Sequence, residues 1–206
     1  MTVKSNREIK GKPLVVVISG PSGVGKDATI HKLAQSGARF HYVVTATTRP
    51  KRHNETHGVD YYFLSEEDFK KKIKQDEFLE HAVVYGNYYG VLKSEVSNAL
   101  KKGEDVILKV DVQGATTLKK TIPEAVFIFL VAPSIDDLSE RLKRRNADSE
   151  HHVSLRIAKA EEEMRSKDIF DYVVINHRDN LAKTANEVKA IVTAEKRHRK
   201  PETRRS

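Results

Sequence analysis

The sequence predicts an α/β fold in which a central parallel sheet is covered by helices on both faces. Two patterns lead to this prediction. Apolar runs rich in β-branched residues recur at 14–18, 42–44, 106–110, 126–131 and 172–175. Segments with helical spacing of apolar residues separate most of them, at 30–34, 93–102, 114–121, 134–146, 150–167 and 180–195. Strands that alternate with helices usually pair in parallel, and 206 residues suit one large domain with inserted subdomains.

A glycine-rich loop follows the first predicted strand and precedes the first predicted helix. Its residues are Gly20, Pro21, Ser22, Gly23, Val24, Gly25 and Lys26. Glycines let such a loop curl until several N–H groups point at one spot, and the next helix adds its positive N-terminal end. The pattern predicts a polyphosphate-binding loop in which Lys26 reaches the β- and γ-phosphates. The strict motif has Ser or Thr after the lysine to hold magnesium, whereas this chain has Asp27.

The pattern changes between the second predicted strand and residue 100. Tyrosines, glycines and short alternating stretches such as 59–64 replace the alternation of strand and helix, which predicts an inserted subdomain. Further on, Ser134 with Asp137 three residues later predicts a capped helix start. Residues 141–167 are dense in charge and have few large apolar side chains, so we expect them to form a mobile lid.

Two arginines near the second strand suggest another phosphate site. Arg49 and Arg52 lie among hydroxyl residues that begin at Thr45, and the planar guanidinium can hold phosphate oxygens bidentately. The alternative is a solvated loop, since arginine pairs in loops are common.

Carboxylates and tyrosines mark two more positions. The inserted region carries Glu80 together with Tyr61 and Tyr89, although tyrosines at such spacing are often packing residues. Asp111 follows the predicted strand 106–110, and an acid at the carboxyl end of a parallel strand faces the crevice of the sheet. The alternative role for Asp111 is that of a helix cap.

The net charge of +8 lies at the two ends of the chain. Residues 1–12 carry a net +3 and residues 196–206 a net +5, which leaves 27 basic and 27 acidic residues between them. A neutral body with basic ends is typical of a folded enzyme with solvated tails, so we expect no nucleic-acid partner. Cysteine is absent and the longest apolar run, 125–132, is too short to span a bilayer. We therefore expect a cytoplasmic protein without a membrane partner.

Taken in order, these motifs resemble those of guanylate kinases. The resemblance runs from about Leu14 to Glu195 and includes the phosphate loop, TTR with a following arginine, GVDYYF, FLEHA, GNYYG, DVQGA and the arginine-bearing segments of 141–156. It implies a P-loop NTPase three-layer fold with a central parallel sheet, an inserted GMP-binding subdomain and a lid. The implied domain covers 12–196, with its core at 12–44, 103–140 and 168–196, the insert at 45–102, the lid at 141–167, and basic tails at 1–11 and 197–206.

The resemblance also implies a function and a set of site residues. The implied reaction moves the γ-phosphoryl group of ATP, with Mg²⁺, to GMP and also to dGMP, in a monomer or a homodimer. ATP is implied to contact the phosphate loop, Asp27, Arg141, Arg145 and, near the adenine, Asn176. GMP is implied to contact Thr45, Arg49, Arg52, Tyr61, Glu80, Tyr89 and Asp111. The implied catalytic residues are Lys26, Arg49, Arg145 and Arg156.

The chemistry of the bases agrees with the implied acceptor. Guanine offers N1–H and an exocyclic amine, which a carboxylate can accept, whereas adenine presents an acceptor at N1. A buried Glu80 that faced adenine would lack a partner, at a cost of about 1–3 kcal/mol. We therefore expect GMP to be preferred over AMP.

Three residues depart from the family pattern. Asp27 stands where the family commonly has a small residue, Lys109 where it usually has an acid, and Val91 where it usually has a hydroxyl residue. We expect positions 27 and 109 to lie near each other. One hypothesis gives Asp27 a part in coordinating Mg²⁺ while Lys109 balances its charge or touches phosphate. The opposing hypothesis is an Asp27–Lys109 ion pair that blocks the metal.

Two other functions remain open from the sequence. The chain resembles, at this level, the non-catalytic guanylate-kinase-like modules of scaffold proteins, but those usually have eroded phosphate loops. A kinase of related fold that acts on a phosphorylated sugar is the other possibility, and it would have no use for a guanine-reading Glu80 and Asp111.

Overall fold

The computed structural model describes residues 12–145, 150–177 and 179–199, and for 144, 145 and 150–153 it describes only the backbone. The strands are β1 Val15–Ser19, β2 Phe40–Tyr42, β3 Ala46–Thr47, β4 Tyr62–Phe63, β5 Phe78–Val84, β6 Asn87–Leu92, β7 Asp105–Lys109, β8 Val126–Val131 and β9 Tyr172–Ile175. The helices are α1 Lys26–Gln35, α2 Glu66–Lys74, α3 Lys93–Lys101, α4 Val112–Thr121, α5 Ile135–Arg145, α6 Glu150–Met164 and α7 Leu181–His198. A 3-10 turn, Arg165–Ile169, follows α6.

Five parallel strands form the main sheet, in the order β2-β7-β1-β8-β9. Strand β1 lies in the middle, and its Val17 is in register with Leu108 of β7 on one side and Phe127 of β8 on the other. The phosphate loop therefore leaves the sheet at its centre, between two strands whose carboxyl ends point the same way. The predicted α/β fold with a central parallel sheet is confirmed.

Both faces of the main sheet are buried, which explains why its strands are continuous apolar runs. Successive side chains of a strand point to opposite faces. Val16 and Ile18 belong to a core that the sheet shares with α1, α5, α6 and α7, whereas Val17 belongs to a second core on the side of α3 and α4. All three side chains are fully buried.

A second sheet, in the order β4-β3-β6-β5, occupies the chain between β2 and β7. Its β5 and β6 form an antiparallel hairpin, and Phe69 of α2 stacks on Phe78 of β5 with ring centroids 4.4 Å apart. Because β2 and β7 are neighbours in the main sheet, this unit projects from one edge of it. The insert and lid boundaries stay predictions.

The observed bounds differ from the predicted ones by a few residues. The strand predicted at 42–44 is observed at 40–42, although the N–H of Val43 still donates to the oxygen of Ile107 at 3.1 Å. The capped helix start is confirmed, since the N–H of Asp137 donates to Ser134 Oγ at 3.0 Å. Helix α2 was missing from the predicted elements. Among the described residues, no helix is both long enough and apolar enough to cross a membrane.

Candidate active site

A large cavity opens where the carboxyl ends of β1 and β7 face the second sheet. Its volume is about 1090 Å³, and it is lined by the phosphate loop, the start of α1, parts of the inserted region, and Arg156 and Glu163 of α6. A smaller cavity of about 120 Å³ adjoins it beside Thr45, Glu80 and Asp111. The residues that line both are Lys26, Asp27, Tyr61, Val84, Tyr89, Lys109 and Asp111. The two cavities therefore form one continuous site.

Two positions of the phosphate loop can only be glycine. Gly20 has φ +145°, and a Cβ there would lie 2.3 Å from the main-chain oxygen of Leu130. Gly25 has φ +98°, and a Cβ there would lie 2.5 Å from Nδ2 of Asn176. Among the described residues, no side chain caps the start of α1, so its N–H groups face the cavity. This is the geometry of a helix N-terminus that binds an anion.

Two side chains that were predicted to contact ATP support the phosphate loop. Asn176 donates from Nδ2 to the oxygen of Val24 at 2.7 Å, and Arg141 donates to that same oxygen at 3.0 Å. Arg141 also donates to the oxygen of Asn176 at 2.9 Å. Asn176 is 1 % exposed and lies outside both cavity linings as the described residues define them. The contacts of Asn176 with adenine and of Arg141 with ATP remain predictions.

Lys26 is folded back over the loop from which it starts. Its ammonium group donates to the oxygens of Gly20 and Pro21 at 2.6 and 3.3 Å. Burial lowers the pKa of Lys26, while the nearby carboxylates of Glu163, Asp27 and Asp111 oppose that shift. A lysine held this way can turn toward a phosphate without a large movement of the backbone.

Glu163 inserts a carboxylate into the phosphate loop. Its Oε2 accepts a hydrogen bond from the N–H of Ser22 at 3.2 Å, and its charge also acts on Lys26. Burial raises the pKa of Glu163. The carboxylate of Glu163 therefore occupies an N–H group of the loop that could otherwise donate to a phosphate oxygen. Sequence reasoning missed this residue, because it is the third of three consecutive glutamates and nothing local distinguishes it from Glu161.

Asp27 and Lys109 are in contact, as their predicted proximity required. Lys109 Nζ lies 2.5 Å from Asp27 Oδ1 and donates to the hydroxyl of Tyr61 at 3.0 Å. The pKa of Lys109 is raised: burial alone would lower it, and the charges of Asp27 and Tyr61 more than offset burial. The ion pair of the opposing hypothesis is thus present, and its predicted effect on Mg²⁺ stays a prediction.

The predicted arginine pair is held by a carboxylate that the sequence did not single out. Arg49 Nη2 donates to Glu55 Oε1 at 2.7 Å, and Arg52 lies 4.0 Å from the same oxygen. The guanidinium of Arg49 lies 5.4 Å from the ring centroid of Tyr61, and it also hydrogen-bonds Tyr89. Arg49, Arg52, Tyr61 and Tyr89 all line the large cavity. A phosphate that entered here would compete with Glu55 for the same donors.

Glu80 lines the small cavity, and its surroundings favour the protonated carboxyl. It is 5 % exposed, and its Oε2 accepts no hydrogen bond from any described residue. Burial, followed by the charge of Asp111, raises the pKa of Glu80 to about 8. Asp111 caps α4 by accepting from the N–H of Gly114 at 2.7 Å and also lines both cavities, so its two proposed roles are compatible. Thr45 is buried, and its hydroxyl donates weakly to the oxygen of Lys109 at 3.4 Å.

The structure describes only part of the predicted lid, residues 141–167. Arg156 lines the large cavity, with its guanidinium 5.5 Å from the ring centroid of Tyr85. The side chain of Arg145 and all of 146–149 lie outside the described residues, so the predicted role of Arg145 stays a prediction. Val91 is fully buried in the core on the α4 side of the sheet and lies outside both cavity linings as the described residues define them.

Comparisons with known proteins agree on one family. A family model described as guanylate kinase matches residues 11–195. A guanylate kinase of Carboxydothermus hydrogenoformans is 46 % identical over 185 residues, which are 90 % of each chain. A chloroplastic/mitochondrial guanylate kinase of Oryza sativa is also 46 % identical, over 90 % of this chain and 65 % of its own. The crystal structure of a guanylate kinase from Anaplasma phagocytophilum superposes with a TM-score of 0.75 at 30 % identity, covering 90 % of this chain and 87 % of that one.

Proposed function

Because the chain belongs to the guanylate kinase family, we propose that it transfers the γ-phosphoryl group of ATP to GMP and releases ADP and GDP. One observation carries this proposal: a single continuous cavity joins the phosphate loop and Lys26 to the arginine pair and to the pocket of Glu80. Such a cavity has room for a polyphosphate donor and for an acceptor whose base is read by a carboxylate.

The donor side is formed by the phosphate loop. The N–H groups at the start of α1 and the ammonium of Lys26 would hold the β- and γ-phosphates of ATP. Glu163 would have to leave the loop first, because its carboxylate occupies the N–H of Ser22. Glu163 and Arg156 both lie on α6, so a movement of that helix away from the loop would carry both residues. This arrangement supports a lid that responds to ATP.

The acceptor side lies between β3, β5 and β6. Arg49 and Arg52, with the hydroxyls of Tyr61 and Tyr89, would hold the phosphate of GMP after Glu55 gives up its donors. Glu80 would accept from the N1–H and from one amine hydrogen of guanine, and Asp111 from the second amine hydrogen. These contacts involve the base and the phosphate and leave the 2′-hydroxyl aside, so we expect dGMP to serve as well.

Phosphoryl transfer requires mainly that the two nucleotides are held in line and that negative charge is neutralised. Phosphoryl transfer spreads negative charge over the equatorial oxygens while the attacking and leaving oxygens stay in line. Lys26 and Arg49 would stabilise that charge from the two sides, and Arg156 would add to it from the lid. Closure would also exclude water, which otherwise competes with GMP for the phosphoryl group.

The chain also has a residue suited to Mg²⁺, which guanylate kinases generally use with ATP. Among the residues that the structure describes, no group of three or more His, Asp or Glu side chains is arranged to hold a metal. Mg²⁺ is commonly bound by one carboxylate together with substrate phosphates, and Asp27, 61 % exposed and lining both cavities, fits that requirement. Asp27 would therefore hold the ion, directly or through water, and the ion would neutralise phosphate charge.

The test is ADP release from ATP and Mg²⁺ with GMP, dGMP, AMP, CMP and UMP offered separately. We expect turnover with the two guanine nucleotides only, and a loss of about 10²-fold or more in Lys26→Ala. Lys32→Ala, in the last turn of the same helix, is the matched control and should keep full activity. A folded protein that binds GMP without turnover would instead be a non-catalytic module, and turnover with a phosphorylated sugar would favour the related kinase.

A further inference from the structure

Lys109 is the residue whose contacts the proposed reaction leaves unexplained. Its ammonium group touches Asp27, at the start of the phosphate-loop helix, and the hydroxyl of Tyr61, in the inserted region. The same group lies 4.3 Å from the ring centroid of Tyr61. Lys109 therefore joins one residue from the donor side to one from the acceptor side, at a point that lines both cavities.

The ion pair with Lys109 stabilises the carboxylate of Asp27 only slightly. The side chain of Asp27 is 61 % exposed, and an exposed carboxylate is well solvated and gains little from a counter-ion. Lys109, in contrast, is only 18 % exposed, so it is the partner that depends on the pair. The arrangement holds a cation in position beside the cavity while no phosphate is present.

The position of that cation is where two sets of phosphates would meet. Lys26 lies close enough that the charge of Lys109 contributes to lowering the pKa of Lys26. Arg49 lies 5.4 Å from the centroid of the Tyr61 ring, the same ring that Lys109 contacts at 4.3 Å. ATP and GMP are both polyanions, and their reacting phosphates repel each other when both are bound. A third cation between them would offset that repulsion.

We propose that Lys109 is a phosphate-binding residue at the junction of the two nucleotide sites, and that it exchanges the carboxylate of Asp27 for phosphate oxygens when both nucleotides bind. This inference rests on the proposed function. It makes Lys109 responsible for part of the cooperativity between the two nucleotides. Asp27 then becomes available to the metal that accompanies ATP, which reconciles the observed ion pair with a role for Asp27 in holding Mg²⁺.

The proposal is tested by GMP binding with and without a non-hydrolysable ATP analogue, measured by calorimetry in Mg²⁺-free buffer. We expect the analogue to strengthen GMP binding in the native protein, and Lys109→Met to reduce that enhancement about tenfold. Lys109→Arg keeps the charge and should keep most of the enhancement. In Mg²⁺, kcat of Lys109→Met should fall about 10²-fold.

The matched control is Lys119, which has the same kind of surroundings outside both cavity linings as the described residues define them. Its ammonium lies 2.6 Å from Asp171 and 4.4 Å from the ring centroid of Phe127. Lys119→Met should therefore leave both the enhancement and kcat unchanged. Thermal unfolding of each variant checks that it is folded.

The double variant Asp27→Asn/Lys109→Met separates the proposal from a purely structural ion pair. Under the proposal it binds the second nucleotide as poorly as Lys109→Met alone, because the missing cation is what matters. Recovery of the enhancement in the double variant would make Lys109 only a counter-ion and would overturn the proposal, as would an unchanged Lys109→Met. Failure of the native protein to bind GMP at all would instead refute the proposed function.

Discussion

The protonation of Glu80 makes GMP binding depend on pH in a predictable direction. The carboxyl has a pKa of about 8 in the nucleotide-free protein, so most molecules hold it protonated at neutral pH. Guanine presents two donors, and only the ionised carboxylate can accept both. GMP binding must therefore release a proton from Glu80. Affinity for GMP should rise with pH up to about 8 and level off above it.

The size of the effect follows from the same pKa. If Glu80 is fully ionised in the complex, each pH unit below the pKa of the nucleotide-free protein weakens binding about tenfold. At pH 6 GMP should bind about 10²-fold more weakly than at pH 9. At pH 7 the binding of one GMP should release close to one proton.

The assay is calorimetric titration of GMP at pH 6 to 9 in two buffers of different ionisation enthalpy, which counts the protons released. The phosphate of GMP also titrates near pH 6, so AMP and the variant Glu80→Gln serve as controls with the same phosphate. The variant should lose the pH dependence that belongs to the carboxyl. Discrimination against AMP should also decline at low pH, because a protonated Glu80 can donate to N1 of adenine.

The pH dependence of the unfolding free energy provides a second measure of the raised pKa of Glu80. The pKa is raised from 4.5 to about 8 by folding, so the folded protein holds the proton more tightly than the unfolded chain. Stability is therefore lost as pH rises from about 4.5 to about 8, and Glu80→Gln should escape that loss. Equal proton release by the native protein and the variant on binding GMP, together with a constant difference in unfolding free energy across this pH range, would contradict a raised pKa of Glu80.

Two further predictions concern the phosphate loop. Glu163→Gln should bind ATP about three- to tenfold more tightly, because an amide oxygen accepts from the Ser22 N–H more weakly than a carboxylate and does not repel phosphate, with Glu161→Gln as the neutral control in the same titration. Weaker ATP binding in Glu163→Gln would mean that the carboxylate shapes the loop instead of occupying it. Gly20→Ala should lower the unfolding free energy by about 3 kcal/mol or more, since its Cβ would meet a main-chain oxygen of β8 at 2.3 Å. Gly37→Ala, at φ +70° with open space around it, should cost only about 1 kcal/mol in the same denaturant titration, and equal losses would contradict this account.

The main sheet and the phosphate loop could be predicted because their signals are local. A strand buried on both faces is a continuous apolar run, and the loop geometry at Gly20 and Gly25 admits no other residue. Helix α2 was missed because it buries little apolar surface apart from Phe69. Its start carried a recognisable signal, since Ser65 Oγ accepts from the N–H of Asp68 at 3.0 Å in the pattern of a capping box.

The charges around the site were harder to predict, because they depend on contacts between residues far apart in the chain. Glu163 reaches Ser22 across 141 positions, and no local pattern indicates this contact. The contact of Lys109 with Asp27, across 82 positions, was expected only because both residues depart from the family pattern. Asn176 follows a strand end, where a contact with nucleotide is reasonable, and that contact stays a prediction. The packing adds a role that the sequence did not indicate, since its amide donates to the loop and accepts from Thr184 at 3.2 Å.

In the proposed reaction one cavity brings ATP and GMP together for direct transfer. To test this directly, the protein is incubated with GMP, Mg²⁺ and ATP labelled in the γ-phosphate, and the products are separated. We expect the label in the β-phosphate of GDP, with little released as inorganic phosphate. Label found only as inorganic phosphate, or still in ATP when GMP is bound, would contradict direct transfer.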